Sequence, residues 1–173
     1  MPRVEKLKYL RMKCPYQRWG RRKTVFELIK WADVIHWHST PALANYADVR
    51  YAMELGKVRV VEFWGSDVRM PSVASKDNIY LERVYQKIPD FVDGRDGMSL
   101  RRQRMFSKYG VHCIVPGPDI ISSIDRACFP DFSQVNSRIM LEEFTPAYPA
   151  IFKKKPIVIH MPSSHLWKGT EYI

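Results

Sequence analysis

The amino-acid sequence predicts an α/β protein built on a parallel sheet with helices on both faces. Short apolar segments rich in valine and isoleucine alternate with segments whose apolar residues recur every three to four positions. Only a few residues connect them, and glycine or proline stands at several boundaries. Strands and helices that alternate in this way form parallel sheets through right-handed crossovers. The predicted fold is therefore Rossmann-like.

The first predicted elements follow a basic N-terminal segment. Thr24 and Glu27 match a capping box, which predicts a short helix at 24–32. The apolar segment 33–38 predicts a strand. Thr40 followed by Pro41 matches an N-cap and a first-turn proline, so a helix is expected from there to the glycine at position 56.

The later elements continue the alternation. A strand is predicted at 58–64, helices at 78–87 and 98–109, and another strand at 111–115. Gly110 is expected to end the second of these helices.

The last segment predicts an anion-binding loop. Residues 156–162 have the pattern of a buried strand, and a serine-rich loop with a Lys-Gly pair follows. Backbone N–H groups at a helix start attract anions, and Lys168 adds a full charge. The residues predicted to bind phosphate are Ser163, Ser164, His165, Lys168 and Gly169. Since such a strand should feed a sheet, we expect the chain to stop just inside a second domain.

Composition and charge narrow the function classes. The chain has 173 residues, of which 46% are hydrophobic, and no apolar run approaches the roughly 18 residues of a membrane helix, so a cytoplasmic location is expected. The net charge is +10, and residues 1–23 hold nine lysines and arginines against one glutamate. This basic segment would attract an anionic membrane surface, nucleic acid or a phosphorylated substrate. The three cysteines show no metal-ligand spacing and are expected to be reduced.

Polar side chains follow three predicted strands. Ligands of open parallel sheets bind beyond the carboxyl ends of the strands, so these residues should line one crevice. They are His38, Ser39 and Thr40 after the first strand, Gly65, Ser66, Asp67 and Arg69 after the second, and Pro116 and Gly117 after the third. We interpret His36 and His38 as facing opposite sides of their strand, and expect no metal site. No glycine-rich nucleotide fingerprint is present in the sequence.

Four segments carry a family resemblance: 32–38, 63–69, 141–146 and 159–171. Together they resemble glycosyltransferases of the family 4 type. That resemblance implies the GT-B fold, in which two Rossmann-like domains face each other, and sugar transfer with retention from a nucleotide sugar to a glycan or lipid-linked acceptor. It divides the chain into a basic segment (1–23), an incomplete N-terminal acceptor-side domain that lacks its first strand and helix (24–152), and a linker with the first strand of the donor-binding domain (153–173).

The resemblance also implies roles for single residues. The turn from Gly65 to Arg69 would face the cleft between domains, and the loop with Lys168 would hold the donor diphosphate. No catalytic residue is assigned, because the donor carboxylates would lie beyond position 173, and the chain alone is expected to be inactive. No cofactor or metal is expected. Asp67 has an alternative role as a cap of the following turn.

Two other function classes stay open. The chain could be a non-catalytic remnant that binds a partner protein or an anionic membrane through its basic segment. It could also be a nucleic-acid-binding module, but no recognition motif supports this, so no nucleic acid is expected as a partner.

Overall fold

The structure contains one four-stranded parallel sheet. The computed structural model describes residues 15–76, 78–136, 145, 159–162, 164–166 and 170, with side chains from position 20 onward. The strands are β1 (Val34–His38), β2 (Val58–Glu62), β3 (His112–Val115) and β4 (Phe132–Gln134). They lie in the order β1-β2-β3-β4, and each neighbouring pair is parallel. The predicted parallel α/β architecture is confirmed.

Seven helices are described between and around the strands. They are α1 (Pro15–Trp31), α2 (Ala47–Glu54), α3 (Pro71–Ala74), α4 (Ile79–Lys87), α5 (Pro89–Val92), α6 (Arg95–Lys108) and α7 (Pro118–Ile121), with a 3₁₀ turn at Ala44–Tyr46. Asn78 caps α4, since its Oδ1 accepts from the N–H groups of Tyr80 and Leu81. Within the described residues, no helix has both the length and the apolarity needed to cross a membrane.

One face of the sheet carries the hydrophobic core. Phe106 of α6 is fully buried at its centre, with its ring centroid 6.0 Å from Trp37, 5.3 Å from Tyr46 and 6.1 Å from Phe63. Helices α1 and α2 contribute Ile29, Val49 and Ala52 to the same cluster. When parallel strands are neighbours in chain order and all crossovers have the same hand, the connecting helices lie on the same face of the sheet. The strand order β1-β2-β3-β4 therefore favours helices on one face.

The other face of the sheet is only partly covered, to judge from the side chains that the structure describes. Val34 and Val58 at the strand starts are 54% and 59% exposed. His36, His38 and His112 also lie on this face and are exposed. The expectation of helices on both faces is therefore not met among the described residues.

Two predicted helix starts are wrong. Thr24 lies inside α1, and its hydroxyl donates to the carbonyl of Gly20 at 3.0 Å, so it is not an N-cap. The helix expected from Thr40 begins only at Ala47, after Asn45 and Tyr46 with left-handed φ values of 55° and 56°. The late start has a structural reason. The buried carboxylate of Asp48 in α2 accepts from the N–H of Ala42, which holds this loop outside the helix.

Other differences concern short or late segments. The strand β4 and the four-residue helices α3, α5 and α7 were not predicted, since three or four residues show no measurable periodicity. The prediction of a buried strand at 156–162 is wrong for residues 159–162. Ile159 and Met161 are 77% and 88% exposed and belong to no strand. Residues 156–158, and the segment 141–146 apart from Thr145, lie outside the described residues.

The buried thiol of Cys113 should resist chemical modification. Burial in the core raises its pKa from the usual 9.0 to about 12, and the carboxylate of Asp67 acts in the same direction. Because the thiolate is the reactive form, a disulfide reagent at about pH 8 should modify Cys113 only after unfolding. Cys128 is half-buried, and its pKa is also raised, first by burial and then by its hydrogen bond to Asp125.

Counting the thiols that react in the native and urea-unfolded states tests this. The variant Cys113→Ala should show the same native count as the wild type and one fewer after unfolding. A drop in the native count would contradict the prediction. Cys128→Ala serves as the comparison variant.

Candidate functional site

The ends of three strands meet at one edge of the sheet. The N–H of Ser39 donates to the carbonyl of Glu62 at 3.0 Å, and the N–H of Phe63 donates to the carbonyl of Ile114 at 3.0 Å. The loops that follow β1, β2 and β3 therefore start side by side. This is the edge at which the sequence predicted a crevice.

The turn after β2 is held by its own acidic residue. The carboxylate of Asp67 accepts from the N–H of Trp64 at 3.1 Å and from the N–H of Gly65 at 2.6 Å. The carbonyl of Gly65 in turn accepts from the N–H groups of Val68 and Arg69 at 3.0 and 2.7 Å. Asp67 thus binds N–H groups that precede it and does not cap the following turn, which was its alternative predicted role. Since the Gly65 N–H is bonded within the turn, it does not point to a ligand.

An ion pair joins the second loop to the third. The guanidinium of Arg69 donates to the Asp119 carboxylate at 2.6 Å, although 50 residues separate them. Asp119 is 64% exposed and follows Pro116 and Gly117, which are half-buried. A cavity of about 440 Å³ opens beside this pair, and Trp64, Ser66 and Tyr85 contribute to its lining.

Tyr85 is a buried residue in the lining of this cavity. Burial raises the pKa of its phenol above the usual 10.0, while the positive charge of Arg69 opposes the rise. The neutral hydroxyl is therefore the form present near neutral pH. It adds a polar group to a wall that already contains Ser66, Arg69 and Asp119.

Trp64 presents a large aromatic surface at this edge. Its indole is 48% exposed, and its Nε1–H donates to Nδ1 of His38 at 3.3 Å. The two rings lie 6.1 Å apart between centroids. By contrast, Trp37 on the core face is buried. The hydrogen bond to His38 holds the exposed indole in place.

His36, His38 and Glu62 form a cluster on the exposed sheet face. Nε2 of His36 lies 3.2 Å from Oε2 of Glu62, and Nδ1 of His38 lies 3.8 Å from the same oxygen. The imidazole centroids are 4.3 Å apart. The interpretation that the two histidines face opposite sides is wrong, because residues two apart on a strand share a face.

Sequence reasoning did not single out Glu62, although two signals were present. It is an acidic residue at the end of a strand with three valines, and it stands two residues after Val60 on the same alternation. Only the register, which pairs Glu62 with His38, shows that the carboxylate meets the imidazoles.

The remaining predicted site residues are those after β1 and those of the predicted phosphate-binding loop. Ser39 is half-buried with a left-handed φ of 69°, and Thr40 is exposed with its N–H bonded to the carbonyl of His38 at 2.8 Å. Of the predicted phosphate-binding residues, Ser163, Lys168 and Gly169 lie outside the described residues. Ser164 and His165 are described, and the carbonyl of His165 accepts from the N–H of Thr170 at 3.2 Å. The phosphate-binding role stays a prediction.

Comparison with known proteins adds no identification. No protein-family model matches the sequence, and no curated protein and no solved structure matches it significantly. The fold and the edge described above define a class: an α/β protein with a parallel sheet and a polar crevice at the carboxyl ends of its strands.

Proposed function

We propose that this chain forms the acceptor side of a glycosyltransferase with the GT-B fold and of the family 4 type. Such an enzyme transfers a sugar from a nucleotide-sugar donor to a glycan or lipid-linked acceptor. The parallel sheet, the crevice at its carboxyl edge and the resemblance of segments 32–38 and 63–69 support the proposal. A cytoplasmic location, with the basic segment at an anionic membrane surface, belongs to the same proposal.

The exposed indole of Trp64 is the observation that carries this proposal. It lies directly after β2, at the edge where ligands of parallel sheets bind, and its bond to His38 holds it in one orientation. An aromatic face packs against the C–H groups of a sugar ring, and a held face loses little entropy on binding. Arg69 and Asp119 at the cavity rim supply a donor and an acceptor for sugar hydroxyls.

A saccharide titration tests the proposal. We expect one of glucose, galactose, mannose and N-acetylglucosamine, or a disaccharide of these, to shift the backbone amide NMR signals of Gly65 and Ser66. Trp64→Ala should weaken that binding by about 2- to 10-fold, the equivalent of losing one aromatic contact. Trp31→Ala is the matched control, because Trp31 is 83% exposed but lies at the end of α1, outside the crevice.

Two results would count against the proposal. One is a panel in which no saccharide moves these signals. The other is an affinity that Trp64→Ala leaves unchanged, or that Trp31→Ala lowers equally. An unchanged affinity would show that the Trp64 indole does not bind the sugar, and an equal loss in Trp31→Ala would show that exposed indoles bind sugars nonspecifically.

A further inference from the structure

We propose that His36, His38 and Glu62 bind a divalent transition-metal ion, with Zn²⁺ the ion that best suits this ligand set. Two imidazole nitrogens and one carboxylate oxygen are ligands that such borderline ions prefer. The proposal does not rest on the glycosyltransferase function, since it requires no sugar. The expectation of no metal site depended on placing the histidines on opposite sides, and the structure places them together.

The strand register produces this arrangement. β1 and β2 are parallel with His38 opposite Glu62 and His36 opposite Val60, so both imidazoles and the carboxylate project from one face. In a tetrahedral zinc site, ligand bonds of about 2.0–2.1 Å place neighbouring ligand atoms about 3.3 Å apart. The two nitrogen–oxygen distances here are 3.2 and 3.8 Å, and all three ligand atoms lie within 4.8 Å of one another. Small side-chain rotations would therefore complete the coordination.

Burial differs among the three ligands in a way that suits a metal. The Glu62 side chain is 1% exposed, whereas those of His36 and His38 are 31% and 61% exposed. Glu62 would therefore be the inner ligand of a bound ion, and the two imidazoles would be its outer ligands. Because the imidazoles lie on the exposed sheet face, the ion would keep a position open to water or to an oxygen ligand, as three-ligand zinc sites do.

Trp64 would report on the ion. Its indole N–H donates to Nδ1 of His38, so that nitrogen presents its lone pair, which is the form a metal binds. An ion that takes this nitrogen replaces the indole as its partner. Metal binding should thus change the fluorescence of Trp64.

Calorimetric titration of Zn²⁺ into the untagged, metal-free chain tests the site. We expect one ion to bind at the cluster, and His36→Ala or His38→Ala to weaken its binding by at least about 100-fold, since even the loss of an outer-shell partner costs about 10–100-fold. His112→Ala is the matched control. His112 is exposed on the same sheet face, but on β3, where it bonds to Ser133 at 2.9 Å, so its loss should leave the affinity unchanged.

Further measurements keep the result interpretable. His38 is largely exposed, so His38→Ala should retain the wild-type circular dichroism spectrum. Trp64→Phe should still bind Zn²⁺ without the wild-type fluorescence change, and Co²⁺ in place of Zn²⁺ should give visible absorption that His38→Ala lacks. Two results would overturn the proposal. One is that His36→Ala and His38→Ala each bind Zn²⁺ as tightly as the wild type. The other is that the double histidine variant binds as many ions as the wild type. Neither outcome bears on saccharide binding.

Discussion

Replacing Phe106 with alanine should lower the free energy of unfolding by about 3–5 kcal/mol, the range for deleting a buried phenylalanine side chain. Phe106 is fully buried, and its ring contacts aromatic rings from β1, from the loop before α2 and from the segment after β2. The expected loss of stability has two parts: the burial free energy of the deleted ring and the cost of the cavity that it leaves in the core. Because small domains are stable by only about 5–15 kcal/mol, this change should remove a large share of the stability of the fold.

Urea unfolding followed by circular dichroism measures the effect. Phe106→Leu keeps most of the buried volume and should lose much less stability, which gives a folded variant for comparison. Met98→Ala is the surface control on the same helix, since Met98 is 54% exposed, and should change stability by less than about 0.5 kcal/mol. A Phe106→Ala variant as stable as Met98→Ala would show that α6 does not pack on the sheet as described.

Replacing Asp48 with alanine should cost about 2–4 kcal/mol. Asp48 is fully buried in α2, and its Oδ2 accepts from the indole N–H of Trp37 at 2.8 Å and from the N–H of Ala42 at 2.7 Å. One carboxylate oxygen thereby joins a helix, a strand and the loop between them. Alanine would leave the indole donor buried without a partner, which costs about 1–3 kcal/mol for each such group.

Asp48→Asn separates hydrogen bonding from charge. The amide oxygen can occupy the place of Oδ2 and accept from both donors, while its NH₂ group takes the place of Oδ1, a buried atom with no hydrogen-bond partner. We expect Asn to lie much closer to wild type than Ala in thermal and urea unfolding. If the two variants are equally destabilised, the negative charge rather than the hydrogen bonds is what the fold requires.

Local patterns predicted much of the fold. The strands at β1, β2 and β3 were predicted within two residues, because each is a short apolar segment between turn signals. Gly110 marked a helix end correctly, since capping depends on a few neighbouring residues. The order of these elements also implied parallel strands and located the crevice at their carboxyl ends.

Two local patterns led to wrong predictions of where a helix starts. Thr24 and Glu27 have capping-box spacing, yet the helix starts earlier, at Pro15, and passes through them. Thr40 and Pro41 resemble a helix start, but the Asp48 carboxylate holds the Ala42 N–H outside any helix. In both cases the surrounding chain outweighed a local preference worth about 1 kcal/mol.

The sequence by itself determined the order of β1, β2 and β3 and of the longer helices between them, the parallel sheet they imply and the edge that carries polar loops. Only the tertiary structure decided which side chains meet there: Glu62 with His36 and His38, Arg69 with Asp119, and Trp64 with His38. The reason is physical. Helices and strands form according to periodicity and capping within a few residues. These contacts instead join residues 24 to 50 positions apart and depend on how the strands and loops are placed in the fold, so the sequence of either segment alone does not predict them.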